Sequence, residues 1–406
     1  MRIGILYYGP YPQNRGIEQL AHALRCIGHE PYIVGRIPSS GKRVSAFQGF
    51  PVIQLPKENE QPLVEKPIPF NPYWLRAVES VAHERNLDAL IARETPLAYP
   101  VLRAARRLDI PAFLDMRENM RAMYAKAPRR NPIKRLVRSR FIVGAYESWM
   151  VPKFDHILTV SQELKDWAIE EFGLVEGQVS VLGNYPTDQF LDGARQARKE
   201  ATVSSDEGTV TLIHTGWVLE SRGIQDVIRA LRRLLDRGVG SIQFRIVGDG
   251  NNSGSYVGPL KELTADLGLE EVVQFEPYPS NGDLPGILAA SDIGVCSYHL
   301  NEHTHQTLPG KLFEYMAVGL PVFSSARRPV VRILEKEQCG VVYSDRDPET
   351  IAETLRPLIE NASLRQEMGQ RGIEAIEGTY NESRYVEVLE TVFGRKRTTT
   401  SQPEHA

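Results

Sequence analysis

The sequence predicts an α/β protein made of two doubly wound parallel sheets in series. Three observations lead there: the length, a strand–helix alternation running almost end to end, and one break in that alternation near the middle. The chain has 406 residues, 42% of them hydrophobic and 24% charged. That is ordinary globular composition at a length better suited to two domains than to one. Each half is long enough to bury its own core.

The elements follow in order. Residues 3–8 read as a buried strand. Ile17, Leu20, Leu24 and Ile27 then recur at helical spacing, and Gly28 closes that helix. Residues 32–34, 89–91, 112–114 and 156–160 are further apolar runs, the later ones each followed by helix-like sequence. Such alternation implies parallel strands with right-handed crossovers. It breaks at about residues 192–208, where charged and small polar residues crowd a window poor in large apolar ones. The rhythm restarts with the strand 210–214, a helix carrying Val227, Ile228, Leu231, Leu234 and Leu235, and the strand 244–247. The expected division is therefore a first domain over 1–192, a linker over 193–207, and a second domain over 208–378. A C-terminal helix over 379–394 is expected to pack back towards the first domain, ahead of a disordered polar tail over 395–406.

Charge and cysteine usage exclude several function classes. A net charge of −3 gives no global sign of nucleic-acid binding. Cys26, Cys296 and Cys339 are far apart and odd in number, which argues for reduced thiols in the cytoplasm over a disulfide framework or a zinc site. No run approaches the roughly 18 apolar residues of a membrane span, and the N-terminal apolar run is too short for a targeting segment.

The most informative stretch is 306–322, QTLPGKLFEYMAVGLPV. Pro309-Gly310 forces a turn, 311–318 reads as a short helix, Gly319 stops it, and a strand follows. Backbone N–H groups at that helix start can hold an anion such as a diphosphate, which makes Thr307, Leu308, Pro309 and Gly310 candidate donor-binding residues. Glu314 lies one helical turn from Lys311, on the same face. Its carboxylate could grip vicinal hydroxyls of a ribose, or the two could form a solvated surface pair.

These residues resemble the retaining glycosyltransferases of family 4, glycosyl transferases group 1. That family has two acidic positions separated by seven residues, followed by a Glu-Tyr-Met-Ala-x-Gly-x-Pro-Val run. Residues 314–322 match the run, and Gln306 stands at the first acidic position. Residues 214–223 (HTGWVLESRG) resemble the family's strand and loop ending in Lys-Gly or Arg-Gly, which brings Gly216 and Arg222 towards the donor diphosphate. Trp217 stands where many relatives add an arginine. Residues 244–250 (FRIVGDG), with Gly248, match the second strand and glycine turn, although a tight strand-to-helix turn would look the same. Tyr278 and Pro279 follow the strand after which relatives seat the nucleotide base.

The first half is similar too. Residues 155–164 and 179–190 match the family's closing N-domain segments. Gly16 falls where relatives have glycines approaching the diphosphate, or else it serves only the turn into a helix. Residues 115–118 (DMRE) replace a common histidine, which makes Arg117 and Glu118 candidate acceptor-side residues or members of an ion pair.

The resemblance implies a GT-B architecture, two Rossmann-like domains facing across a cleft. The 1–192 domain would face the acceptor and the 208–378 domain would bind the donor. It also implies transfer from a nucleotide-diphosphate sugar to a glycan, lipid-linked or small-molecule acceptor. Configuration would be retained, with no metal and no other cofactor. Arg222, Lys311, Gln306 and Glu314 would carry the chemistry. A nucleotide-sugar epimerase on the same fold, or a noncatalytic sugar-nucleotide-binding protein, are the alternatives.

Three other signals point elsewhere. Asp345 and Asp347 have a metal-binding spacing, but Asp347-Pro348 has the grammar of a helix cap. His299, His303 and His305 match no zinc spacing. Residues 121–140 carry eight Lys or Arg and no acid, with Phe141, Ile142 and Trp149 just beyond. That segment is either a solvated basic face or a surface for an anionic membrane, and the latter would place the protein at the inner face of the cell membrane.

Overall fold

The computed structural model describes residues 1–10, 15–36, 45–55, 70–125, 139–201, 208–248, 255–279 and 282–394. The expected tail, most of the basic segment, and Asp249-Gly250 lie outside them. The chain divides into two compact units, Met1–Gly183 with Ser383–Ala406, and Asn184–Glu382.

The first unit holds an eight-stranded sheet. Its strands are β1 (Arg2–Pro10), β2 (Glu30–Arg36), β3 (Ala46–Phe47), β4 (Phe50–Leu55), β5 (Ala89–Arg93), β6 (Ala112–Met116), β7 (His156–Thr159) and β8 (Val179–Val181). The order is β3-β4-β2-β1-β5-β6-β7-β8, parallel except for the short β3–β4 hairpin. All five residues of β5 and of β6 are buried, as expected of parallel strands covered on both faces. The covering helices include α1 (Arg15–Cys26), α2 (Pro72–Glu84), α3 (Ala98–Leu108), α4 (Met120–Ala125), α5 (Arg140–Met150) and α6 (Gln162–Phe172). Ile17, Leu20, Leu24 and Ile27 are fully buried, which is the face read from their spacing.

The second unit opens with α7 (Asp188–Ala201) and holds a six-stranded sheet. Its strands are β9 (Thr209–Thr215), β10 (Ser241–Val247), β11 (Val273–Glu276), β12 (Ile293–Cys296), β13 (Val322–Ser325) and β14 (Gly340–Tyr343), in the order β11-β10-β9-β12-β13-β14, all parallel. Around them lie α8 (Ile224–Asp236), α9 (Val257–Asp266), α10 (Leu284–Ala289), α11 (Gly310–Val318), α12 (Arg328–Glu337), α13 (Pro348–Glu360) and α14 (Ala362–Gly378). Val227, Ile228, Leu231 and Leu234 of α8 are fully buried in one core with Phe244, Val295 and Phe323. α15 (Glu382–Phe393) returns to the first unit, where the Phe393 ring packs 4.3 Å from that of Phe113.

Residues 193–201, expected as linker, continue α7. Its inner face is built from Leu191, Ala194 and Ala197, all buried, and Gly193 lies so close to Pro285 that a Cβ would sit 3.1 Å from its Cγ. Small residues at helical spacing bury little apolar area, so the segment reads as polar although it packs. Residues 202–207 lie outside the described residues.

Candidate active site

In both sheets the strand order reverses direction once, between β1 and β5 in the first and between β9 and β12 in the second. Beyond the carboxyl ends of the strands at such a switch point, doubly wound sheets open a crevice for ligands. In the second unit that edge carries most of the residues the sequence singles out.

Tyr315 of α11 fixes the arrangement from below. Its hydroxyl accepts from the Thr215 amide at 3.0 Å and donates to the Val295 carbonyl at 3.3 Å, tying α11 to β9 and β12. The ring has room only because residue 294 is glycine, since a Cβ there would lie 2.4 Å from it. Gly216 follows β9 with φ +101°, where side chains are strained, and its amide donates to the Val247 carbonyl. A Cβ on Gly248 would lie 2.0 Å from the Gly216 carbonyl oxygen, so the two glycine turns need each other. A Cβ on Gly216 would sit 3.9 Å from Lys311 Nζ, which marks how near that ammonium lies to the turn.

Three cations converge here on the buried ring of Tyr298, just after β12. The Arg222 guanidinium carbon is 4.5 Å from the ring centroid, that of Arg327 4.1 Å, and Lys311 Nζ 5.7 Å. Arg327, which sequence reasoning missed, is 2% exposed and donates to the Thr304 carbonyl and to the carbonyl and hydroxyl of Thr307. It thereby holds the turn that leads into α11. Arg222 Nε is buried with no hydrogen-bond acceptor among the described residues, a donor that a ligand oxygen would satisfy.

The electrostatics follow from this crowding. Burial, the largest cause, pushes the Lys311 ammonium down to about 7. Arg222 and Arg327 push the same way, against Cys296 and Glu314. Lys311 Nζ lies 3.3 Å from Nε2 of His214. Burial, then Lys311 and Arg222, push that imidazole far below its ordinary value, so it is neutral and can accept from Lys311. Such a nest of positive charge invites an anion of more than one charge.

The remaining predicted residues take these places. Pro309 N-caps α11 without a side-chain hydrogen bond; the Leu312 amide donates to the Pro309 carbonyl at 3.3 Å, and the Gly310 and Lys311 N–H groups ahead of it suit a ligand. The Leu308 carbonyl accepts from Asn184 Nδ2 at 2.7 Å. Gln306 is buried at 9% exposure, Glu314 is half-buried on α11, and Trp217 is 56% exposed beside Gly216. Tyr278 and Pro279 are half-buried beyond β11. In the first unit, Gly16 lies in the first turn of α1.

Arg117 is held inside the first unit. Its Nε donates to Asp115 at 2.7 Å, and its other nitrogens to the Leu182 carbonyl at 2.8 Å and the Tyr385 hydroxyl at 3.1 Å. Arg93 also pairs with Asp115. Burial pushes the Asp115 carboxyl up, but Arg117 and Arg93 together outweigh it and hold it below its ordinary value. Glu118 is half-buried one residue further on.

Two of the signals set aside have structural partners. Asp347 accepts from the Thr350 amide at 3.0 Å as the N-cap of α13. His299 lies 3.2 Å from the Asp226 carboxylate, which Arg346 and Arg229 share. Among the described residues no group of three His, Cys, Asp or Glu could hold a metal ion.

Comparison with known proteins gives two family matches. The model for glycosyl transferases group 1 covers residues 196–375, and that for the glycosyl transferase 4-like domain covers 13–185. A glycogen synthase of Mycobacterium tuberculosis is 22% identical over 374 residues, 87% of this chain and 83% of that protein. A lipopolysaccharide core biosynthesis glycosyltransferase of Rhizobium meliloti is 26% identical over 204 residues, 50% of this chain and 54% of that protein. For most of the curated relatives it matches, the chain spans about half of their length or less, 24–54%. Among solved structures, HepE of Anabaena in complex with UDP-glucose superposes with a TM-score of 0.70 at 15% identity, covering 97% of this chain and 99% of that one. With the motif run at 306–322 and both sheets in place, the chain belongs to the glycosyl transferases group 1, the family 4 retaining glycosyltransferases of GT-B fold.

Proposed function

We propose that the protein transfers a glycosyl group, with retention, from a nucleotide-diphosphate sugar held by the second unit to a hydroxyl-bearing acceptor. The observation that carries this reading is the convergence of Arg222, Lys311 and Arg327 at a sheet switch point, with an Arg222 donor left unsatisfied. In this reading the donor diphosphate lies against those cations and the N-terminus of α11, and the cations stabilise it as it leaves. With the bound diphosphate keeping Lys311 protonated, the three positive charges do there what a divalent cation does elsewhere, so activity is expected to survive EDTA. Glu314 binds the ribose hydroxyls, Gln306 the sugar, and Tyr278 and Pro279 flank the base.

Calorimetry with UDP-glucose, and with a panel of other nucleotide sugars, tests the donor assignment. Glu314→Gln is expected to weaken donor binding by roughly tenfold or more, the scale of a hydrogen bond to a charged group. It should leave the melting temperature of the free protein unchanged. Equal affinity in the variant would remove Glu314 from the ribose.

A surface of the first unit favours a lipid-linked acceptor. Phe70, Phe141, Ile142 and Trp149 are 45–82% exposed. The Phe70, Tyr99 and Trp149 rings lie 5.0–6.1 Å apart, with Lys153 over Trp149. Aromatic rings beside cations suit the interface of an anionic leaflet. No helix among the described residues is long and apolar enough to cross a membrane; in this reading the contact is peripheral, at the cytoplasmic face. Lys134, Arg135 and Arg138, the expected basic contacts, lie outside the described residues. Sedimentation with anionic but not neutral vesicles at low salt, lost in a Phe141→Ser/Trp149→Ser variant, is the expected result. Wild-type protein that stays in the supernatant would point to a soluble acceptor.

A further inference from the structure

Of the three cations at the carboxyl edge of the six-stranded sheet, Lys311 alone lacks a geometry of its own. A guanidinium is a planar fork, whereas an ammonium on four methylenes points where its hydrogen-bond partners hold it. Among the described residues that partner is Nε2 of His214, at 3.3 Å. His214 stands two residues before the Gly216 turn, near the carboxyl end of β9, and is fully buried. Its ring lies against the backbone of Trp217 and Val295, yet Nδ1 completes no hydrogen bond among the described residues. A buried nitrogen left so costs stability, and an apolar side chain would fill the space without that cost. The groups that face the pair are Arg222 from the turn after β9, Cys296 from β12, Glu314 from α11 itself and Arg327 from ahead of α12. A second proton on His214 would add a fourth positive charge to this buried space. The ring is therefore neutral beside the ammonium, with Nε2 accepting and its one proton on Nδ1.

We propose that His214 is a positioning residue of the donor site, a neutral acceptor that fixes the Lys311 ammonium without cancelling its charge. The inference rests on the glycosyltransferase reading above and names what prepares Lys311 for the diphosphate. One N–H of the ammonium goes to Nε2, and two are left for phosphate oxygens. A carboxylate in the same place, as Asp115 is for Arg93 and Arg117, would fix the cation equally well. It would also neutralise it, and the anion would then meet an ion pair in place of a charge. An apolar residue would leave the charge and lose its direction. Imidazole supplies the direction and leaves the charge, and the unsatisfied Nδ1 accompanies it.

Calorimetry with UDP-glucose from pH 5.5 to 9 tests this on four full-length proteins: wild type, His214→Gln, His214→Glu and His214→Leu. Glutamine and glutamate share size and reach and differ in charge. His214→Gln keeps a neutral acceptor, so it should bind within about threefold of wild type and still lose affinity above pH about 7. His214→Leu should bind roughly tenfold more weakly or worse at pH about 6. Its loss should also begin at lower pH, because an ammonium without its acceptor gives up its proton more readily. His214→Glu should lose roughly tenfold or more at pH about 6 too, but with a flat profile, because the carboxylate keeps Lys311 protonated throughout. A histidine that only fills space would move no pH profile. Glutamine binding as weakly as leucine, glutamate binding as tightly as glutamine, or leucine binding as tightly as wild type would each overturn the proposal. The tautomer tests it in the wild type, whatever the variants do to folding. With ¹⁵N-labelled histidine, one non-titrating imidazole should carry its proton on Nδ1, and its bare Nε2 should shift when UDP-glucose is added. A complex without such an imidazole would overturn the proposal as well. Failure of the transferase reading itself shows separately, as wild-type protein that binds neither UDP nor UDP-glucose.

Discussion

The carboxyl edges of the two sheets are alike in backbone and differ in how their cations are balanced. At the edge of the six-stranded sheet, Arg222, Lys311 and Arg327 crowd the Tyr298 ring with Glu314 as the nearby acid. At the edge of the eight-stranded sheet Arg93 and Arg117 share the one carboxylate of buried Asp115, and Arg117 is held inward by the Leu182 carbonyl and the Tyr385 hydroxyl. The same switch-point geometry thus carries arginines satisfied from within at one edge and a buried, unsatisfied Arg222 donor at the other. Fold alone cannot make that distinction, because both units share it. What separates them is which charges are cancelled from beneath.

That contrast can be broken from either side. The largest expected effect is on stability, in the first unit. Arg117→Ala removes one of two cations from fully buried Asp115 and frees the Leu182 carbonyl and the Tyr385 hydroxyl. A loss of roughly 3–5 kcal/mol is expected, the usual result of leaving a buried charge short of its partner. Denaturant unfolding would measure it. A cost under about 1 kcal/mol would mean that Arg117 is held there for a substrate and not for the fold.

The second effect is on activity, in the second unit. Arg222→Ala should lower kcat/KM for the donor by about 10²–10³-fold, the scale of losing one preorganised charge from a transition state. Arg222 is half-buried on a short turn with an unsatisfied Nε, so stability should change little. If the variant unfolds early while its folded fraction remains active, the cation cluster is structural and the contrast between the two edges fails.

Much of this was legible in the sequence, and the exceptions are instructive. The buried strands and amphipathic helices follow from periodicity because each buries large apolar groups. Ile17 to Ile27 and Val227 to Leu234 are the clearest cases. The α11 motif was legible because Pro309, Gly310 and Gly319 punctuate it. The second half of α7 was not, since beyond Leu191 its packed face is alanine and glycine. Arg327 was hidden by its neighbour: Arg327-Arg328-Pro329 reads as a solvated pair before a helix, yet one of the two is buried. His214 carries no local signal of its place beside a cation. A histidine near the end of an apolar strand looks like any core residue, and only its hydrogen bond with Lys311 marks it. Charges placed by tertiary contacts leave no period to read.

The smallest expected effect is the most diagnostic, because it needs no chemistry. Lys311 titrates at about 7 in the free protein, pushed down first by burial and then by Arg222 and Arg327. A bound diphosphate would favour the ammonium and raise that value. A nucleotide sugar is a diphosphate diester, so it does not itself titrate near neutrality. Below pH about 7 the site is already charged and affinity should be flat. Above it, binding must take up a proton, and affinity should fall by up to about tenfold per pH unit until the bound-state value is reached. Calorimetry in buffers of different ionisation enthalpy would show the uptake directly. Lys311→Arg stays charged throughout and should flatten the profile, even if its longer fork lowers affinity overall. For stability the sign is opposite. The folded chain holds fewer protons at Lys311 than the unfolded chain between about pH 7 and 10, so the ligand-free protein should gain stability there as pH rises. Affinity and stability moving in opposite directions over one pH range is the signature of a cation kept desolvated for an anion. If UDP-glucose affinity is flat from pH 6.5 to 9 in the wild type, Lys311 does not meet the diphosphate, and the charge contrast between the two sheets rests on Arg222 and Arg327 alone.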